Sequence, residues 1–147
     1  MKAIEQAGPG FQVSVSQASV QSDEDIRDAI TGLGTKPGSG LLVPADAFTF
    51  ERAAMITALA LDKKIPAGYP FPVFALEGGL IAYGVNLADQ LHNAGGYAAR
   101  ILKGENLADL PIQTPTRYTL TINIKTAKAL GLTVPASLFA RADEVIE

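Results

Sequence analysis

Hydrophobic positions along this chain switch repeatedly between a period of two and a period near 3.6. Gln12 to Ser16 alternates polar residues with Val13 and Val15, the pattern of a short strand. Ser22 then opens a helix, with Asp25 three residues on as the carboxylate half of a capping box. Ile26, Ala29, Ile30 and Leu33 follow at helical spacing and share one face. Gly32, Gly34, Pro37, Gly38 and Gly40 break the chain into a loop. Leu41 to Val43 is a continuous apolar run that suits a strand buried on both faces.

The alternation continues to the C-terminus. A nearly all-apolar helix is expected from Thr49 or Phe50 to about Asp62, then a strand from Ile65 to Tyr69 ended by Pro70 and Pro72. Leu80 to Tyr83 reads as a further strand. The longest helix begins at Asn86 or Leu87 and closes at Gly104, a natural residue after a helix end. Its apolar positions are Leu91, Ala94, Ala98, Ile101 and Leu102. Tyr118, Leu120 and Ile122 alternate with threonines as a strand. Asn123 caps a short helix that Gly131 closes, and Pro135 suits the first position of a last turn. Strands alternating with helices predict an α/β fold, a mostly parallel open sheet flanked by helices, in a single domain spanning 1–147.

Composition narrows the function. The chain has 147 residues, 48% hydrophobic and 18% charged, enough for a real core. A net charge of -3 and a pI near 5.1 supply no basic field for a phosphate backbone, so nucleic acid is not an expected partner. Without cysteines there is neither a disulfide framework nor a thiolate metal site. No stretch approaches the roughly 20 apolar residues of a membrane span, and Met1 to Phe11 does not read as a signal peptide.

Candidate chemistry is sparse. His92 is the sole histidine and lies on the long helix, where a surface or interface position is the plainer reading. No metalloprotease, P-loop, nucleophile-elbow or dinucleotide-binding spacing occurs. Asp23, Glu24 and Asp25 occupy a first helical turn, where carboxylates complement the helix dipole. A catalytic assignment fails, and neither an enzyme nor a cofactor is expected.

What remains are positions just beyond strand ends, where open α/β sheets bind ligands. Asp46 follows the first buried run and suits either a ligand ammonium or the cap of the next helix. Tyr69 and Phe71 end one strand. Tyr83 ends another and precedes Gly84, where a backbone can approach a ligand closely.

Several of these residues lie in longer motifs. The stretch Gly78-Gly79-Leu80-Ile81-Ala82-Tyr83-Gly84 resembles the GGLxSYG signature of ABC-transporter substrate-binding proteins. Tyr97 to Gly104, Ala108-Asp109-Leu110-Pro111, Ile122 to Leu132 and the final Ala142 to Glu147 are similar to the pattern that ends those chains. The resemblance runs in one register from about Phe11 to Glu147. It implies the C-terminal lobe of a two-lobed periplasmic receptor, which closes on a small organic solute such as an amino acid and delivers it to a membrane permease. It also implies a cleft face containing Asp46, Tyr69, Gly79 and Tyr83. Departures are Ala82 in place of a common serine, Pro72 in place of an arginine, and His92-Asn93 in place of an Arg-Arg pair. Each removes a polar or cationic group that could meet a ligand. With the partner lobe absent, a homodimer is expected to cover the exposed surface. The alternative is a stand-alone interaction or regulatory module that dimerises or binds a protein partner.

Overall fold

The computed structural model describes residues 2–147. Helix α1 (Lys2–Ala7) and a 3₁₀ turn (Gly8–Phe11) lead into a segment outside helices and strands, and α2 (Asp23–Gly34) begins the compact body. There follow β1 (Leu41–Leu42), α3 (Ala47–Phe50), α4 (Ala53–Asp62), β2 (Ala67–Tyr69), α5 (Pro72–Leu76) and β3 (Ile81–Val85). The remainder is α6 (Leu87–Leu102), a second 3₁₀ turn (Leu107–Asp109), β4 (Tyr118–Asn123), α7 (Ile124–Ala129), α8 (Ala136–Phe139) and β5 (Glu144–Ile146). The strands form one sheet in sequence order, β1-β2-β3-β4-β5, parallel except for the antiparallel β3–β4 pair.

Local chemistry explains most of these boundaries. The expected capping box is formed: Asp25 N–H donates to Ser22 Oγ, and Ser22 N–H donates back to the Asp25 carboxylate. Asn86 and Asn123 cap α6 and α7 through their side-chain oxygens. Gly104, at φ 92°, follows the end of α6. The single apolar helix expected to end near Asp62 is instead two, α3 and α4. They break at Arg52, whose guanidinium turns back to donate to the Phe48 carbonyl and to Asp23. Pro72, read as a strand breaker, also starts α5, where its fixed φ suits a first helical position.

Strand register sorts the core. Val43, Ala67, Tyr69 and Ala82 share one sheet face and pack against Ile26 and Ile30 of α2, Ala53, Ile56 and Ala60 of α4, and Phe74 and Ala75 of α5. The opposite face carries Leu42, Ile81, Tyr83, Tyr118 and Ile122. Ile122 is fully buried there, whereas Leu42 is 55% exposed because β1 is an edge strand covered on one face only. The expectation of burial on both faces at Leu41 to Val43 is corrected accordingly.

Gln12 to Ser16, expected as a strand, adds no rung to the sheet, and Gln12 itself is left-handed at φ 57°. β5, which the sequence pattern does not announce, pairs in parallel with β4.

Candidate functional site

β1, β2 and β3 run parallel, so their carboxyl ends meet at one edge, joined there by the amino end of antiparallel β4. Four connections emerge at this edge, and each brings side chains for a local reason.

After β1, Asp46 caps α3. Its Oδ1 accepts from the backbone N–H groups of Phe48 and Thr49 at 2.9 and 3.3 Å, while the side chain stays exposed. Capping and ligand contact are therefore compatible at this residue. One turn further, Phe50 meets Phe71, which follows β2, edge to face with centroids 5.6 Å apart. Arg52 lies over the Phe48 ring at 3.7 Å and donates to Asp23 at 2.5 Å, which ties the α3–α4 corner to the start of α2.

At the β3–β4 side, Tyr83 and Tyr118 are diagonal neighbours across the antiparallel pair, and their rings stack at 5.7 Å. They are 62% and 47% exposed, an open aromatic surface on an interior part of the sheet. Beyond them, Asn86 N–H donates to the Arg117 carbonyl where the chain leaves and re-enters the sheet. Arg117 reaches Asp89 at 3.3 Å. Together with Asn86, His92 and Thr116 these residues line an open hollow of about 150 Å³. His92 is exposed on α6.

The four residues of the expected cleft face do not stay together. Tyr69 is at the right edge but only 3% exposed. It stacks on Phe74 at 5.0 Å, and burial pushes its hydroxyl pKa upward. Gly79 lies at the amino end of β3, the opposite edge from Asp46. A Cβ there would sit 2.6 Å from the Tyr69 ring and 2.7 Å from the Phe74 carbonyl, so this glycine makes room for a core aromatic. Asp46 remains at the carboxyl edge, whereas Tyr83, expected to end its strand, is mid-strand because β3 pairs on through Val85.

Two further expectations change. The close approach at Gly84 is made by the chain itself, since an added Cβ would lie 1.8 Å from the Pro70 carbonyl oxygen. Ala82 is fully buried on the core face, so a serine there would point a hydroxyl inward. Its substitution removes nothing from the exposed edge.

Phe50, Tyr118 and Arg117 were not among the site residues expected from sequence. Phe50 is hidden within an apolar run, and the Tyr83–Tyr118 pair depends on an antiparallel register across a long connection. Among the described residues, no group of three or more His, Asp or Glu side chains could hold a metal ion, and no helix is long and apolar enough to cross a membrane.

Residues 1–146 match the family of ABC transporter substrate binding proteins. The chain belongs to this family. A tyrosine-binding protein of Clostridioides difficile is 25% identical over 118 residues, which is 80% of this chain and 34% of that protein. Among solved structures, a conserved domain protein of Vibrio cholerae aligns with a TM-score of 0.85 at 20% identity, covering 99% of this chain and 49% of the other. An ABC domain from Streptococcus pneumonia, solved in complex with L-Trp, aligns with a TM-score of 0.84 at 24% identity, over 99% and 51%. The chain thus spans a third of the curated relative and half of these structures. The likeness to the structures establishes the fold. The family consists of substrate-binding proteins rather than enzymes.

Proposed function

We propose that this chain is the C-terminal lobe of the solute-binding component of an ABC transport system, holding a small organic solute, an amino acid, in a cleft between lobes. The observations that carry the reading are Asp46 and the Phe50–Phe71 pair beyond the carboxyl ends of β1 and β2, and the exposed Tyr83–Tyr118 pair on the open face of the sheet. An exposed carboxylate and exposed aromatic rings suit a cationic ammonium attached to an apolar or aromatic side chain. The family match and the two relatives named for tyrosine and L-Trp support the same ligand class. In the complete receptor the expected partner is a membrane permease and the expected location the periplasm.

A lone lobe offers a shelf instead of an enclosed pocket, and tight ligands bury most of their surface. The expected affinity is about 1 mM or weaker, near -4 kcal/mol. Amide NMR titration with L-tryptophan tests this, and the protein contains no tryptophan of its own. Saturable shifts at Asp46, Phe50, Phe71 and Tyr83 support the reading. Shifts confined to other surfaces, or none at about 10 mM ligand, overturn it. A micromolar affinity by calorimetry would refute the half-cleft view.

A further inference from the structure

Three polar side chains lie buried around one end of α5. Thr57 of α4, Asn123 at the end of β4 and Thr126 of α7 are 1%, 4% and 6% exposed. A buried hydroxyl or amide costs free energy unless it is hydrogen-bonded. All three donate to one short stretch of backbone. Asn123 Nδ2 donates to the Ala75 carbonyl at 3.0 Å, Thr57 Oγ1 to the Glu77 carbonyl at 2.8 Å and Thr126 Oγ1 to the Gly78 carbonyl at 2.8 Å. These carbonyls form the carboxyl end of α5 and the turn after it. The donors stand 20 or 48 residues away in sequence, so no local turn accounts for them. Their place is the amino edge of the sheet, where Asn123 N–H donates to the Leu80 carbonyl at 2.9 Å.

We infer that Thr57, Asn123 and Thr126 are positioning residues for Phe71, setting its ring at the carboxyl edge by holding the far end of α5. α5 has five residues and leads from Phe71, just beyond β2, back toward Gly78, just before β3. A helix this short does not hold itself. It spans about 7.5 Å, so displacement of one end is carried to the other. No side chain caps its amino end. The grip is at the carboxyl end, where one network joins α4, β4 and α7. Asn123 serves both sides of it, because its Oδ1 also accepts from Thr126 N–H at 2.9 Å.

At the other end of α5, the Phe71 ring meets Phe50, which in turn meets Phe74 with centroids 6.5 Å apart. A ring set back by about 0.5–1 Å forfeits roughly a quarter to a half of its dispersion attraction for a neighbour. Small movements of α5 therefore matter to whatever Phe71 touches. Phe74 and Ala75 are fully buried and also anchor the helix. Apolar burial is non-directional, however, whereas hydrogen bonds prescribe distance and angle, and a satisfied buried network rigidifies what it holds. Packing keeps α5 on the sheet, and the three donors fix where along it the helix stops.

The ligand arm of the test rests on the solute reading, and the ligand-free arm does not. Thr126→Val nearly keeps the side-chain shape and removes the hydroxyl, which among the described residues donates to Gly78 alone. Thr126→Ser retains the hydroxyl. Thr57→Val is an independent second variant, so a folding failure of one leaves the other to decide. In the ligand-free chain, NMR reads the Overhauser contacts between the Phe50 and Phe71 rings. These should weaken several-fold in the valine variants and stay near the parent in Thr126→Ser. On adding L-tryptophan, the valine variants should lose amide shifts at Phe71 and keep those at Asp46, which caps α3. Parent-like ring contacts in a folded valine variant overturn the inference and leave Phe74 and Ala75 to hold α5 alone. Contacts disturbed as much by serine as by valine overturn it too. Ring contacts that respond as expected, in a parent that shows no L-tryptophan shifts, support the positioning of Phe71 and sink the solute reading instead.

Discussion

At the residue scale, the carboxyl edge depends on side chains that are missing as much as on those present. Gly84 lies on β3 beside the Pro70 carbonyl, and a Cβ would overlap that oxygen at 1.8 Å. Both partners are backbone, so neither can swing aside. Gly84→Ala should cost about 3 kcal/mol or more, the upper range for overpacking, read as a lowered urea midpoint. Gly96→Ala is the counterpart: nothing lies within 4 Å of its would-be Cβ and the site is mid-helix. That change should stabilise by about 0.5–1 kcal/mol. Asp46 separates its two roles by a similar contrast. Asp46→Ala loses the cap of α3 and about 1 kcal/mol. Asp46→Asn retains an accepting oxygen and nearly all the stability, yet removes the charge offered to a ligand ammonium. Weaker L-tryptophan shifts in Asp46→Asn at unchanged stability support the ligand role, and equal shifts reduce Asp46 to a cap.

At the scale of elements, the helix termini were the most legible features in the sequence, because a cap is a local bargain between a side chain and nearby amides. Ser22 with Asp25, Asn86 and Asn123 all needed only a few residues to be recognised. Pairing was not local and was read less well. Gln12 to Ser16 has a strand's alternation, but alternation cannot tell whether a neighbouring strand exists. The three residues of β5 gain their ladder only from β4, more than twenty positions earlier. The burial of Tyr69 has the same origin: a strand end was recognised, but not which way its side chain turned, while Gly79, named through the resemblance alone, makes room for that ring. The α2 cap also yields a pH prediction. Backbone donation from Gln21, with Ser22, holds the Asp25 carboxyl below its usual pKa of 3.8. Its contribution is therefore present above the unfolded-state value and is lost as pH falls through the lower folded value. Acid unfolding of Asp25→Asn should have a shallower dependence below about pH 4 than the parent; identical slopes would remove Asp25 from the acid transition.

For the molecule as a whole, stability is unevenly distributed along the chain. The core joins α2, α4 and α5 to one face of the sheet, and its largest fully buried side chain is Phe74. By contrast, residues 12–21 add no rung to the sheet, and α6 buries none of its residues. Segments with few buried contacts open at low free energy, independently of the body. Hydrogen exchange should therefore divide the chain sharply. Amides of β3 and β4 should exchange only with global unfolding, while those of 12–20 exchange within seconds to minutes. Ile30→Ala, emptying a position at the α2–sheet contact, should lower global stability by about 2–5 kcal/mol and speed β3 and β4 exchange in proportion. Deleting residues 2–16 should leave that exchange nearly unchanged, because the α2 cap draws only on Gln21 to Asp25. A large loss of β3–β4 protection on that deletion would mean that the N-terminal arm packs on the open sheet face of Leu42 and Tyr83, and the division drawn between body and arm would then be wrong.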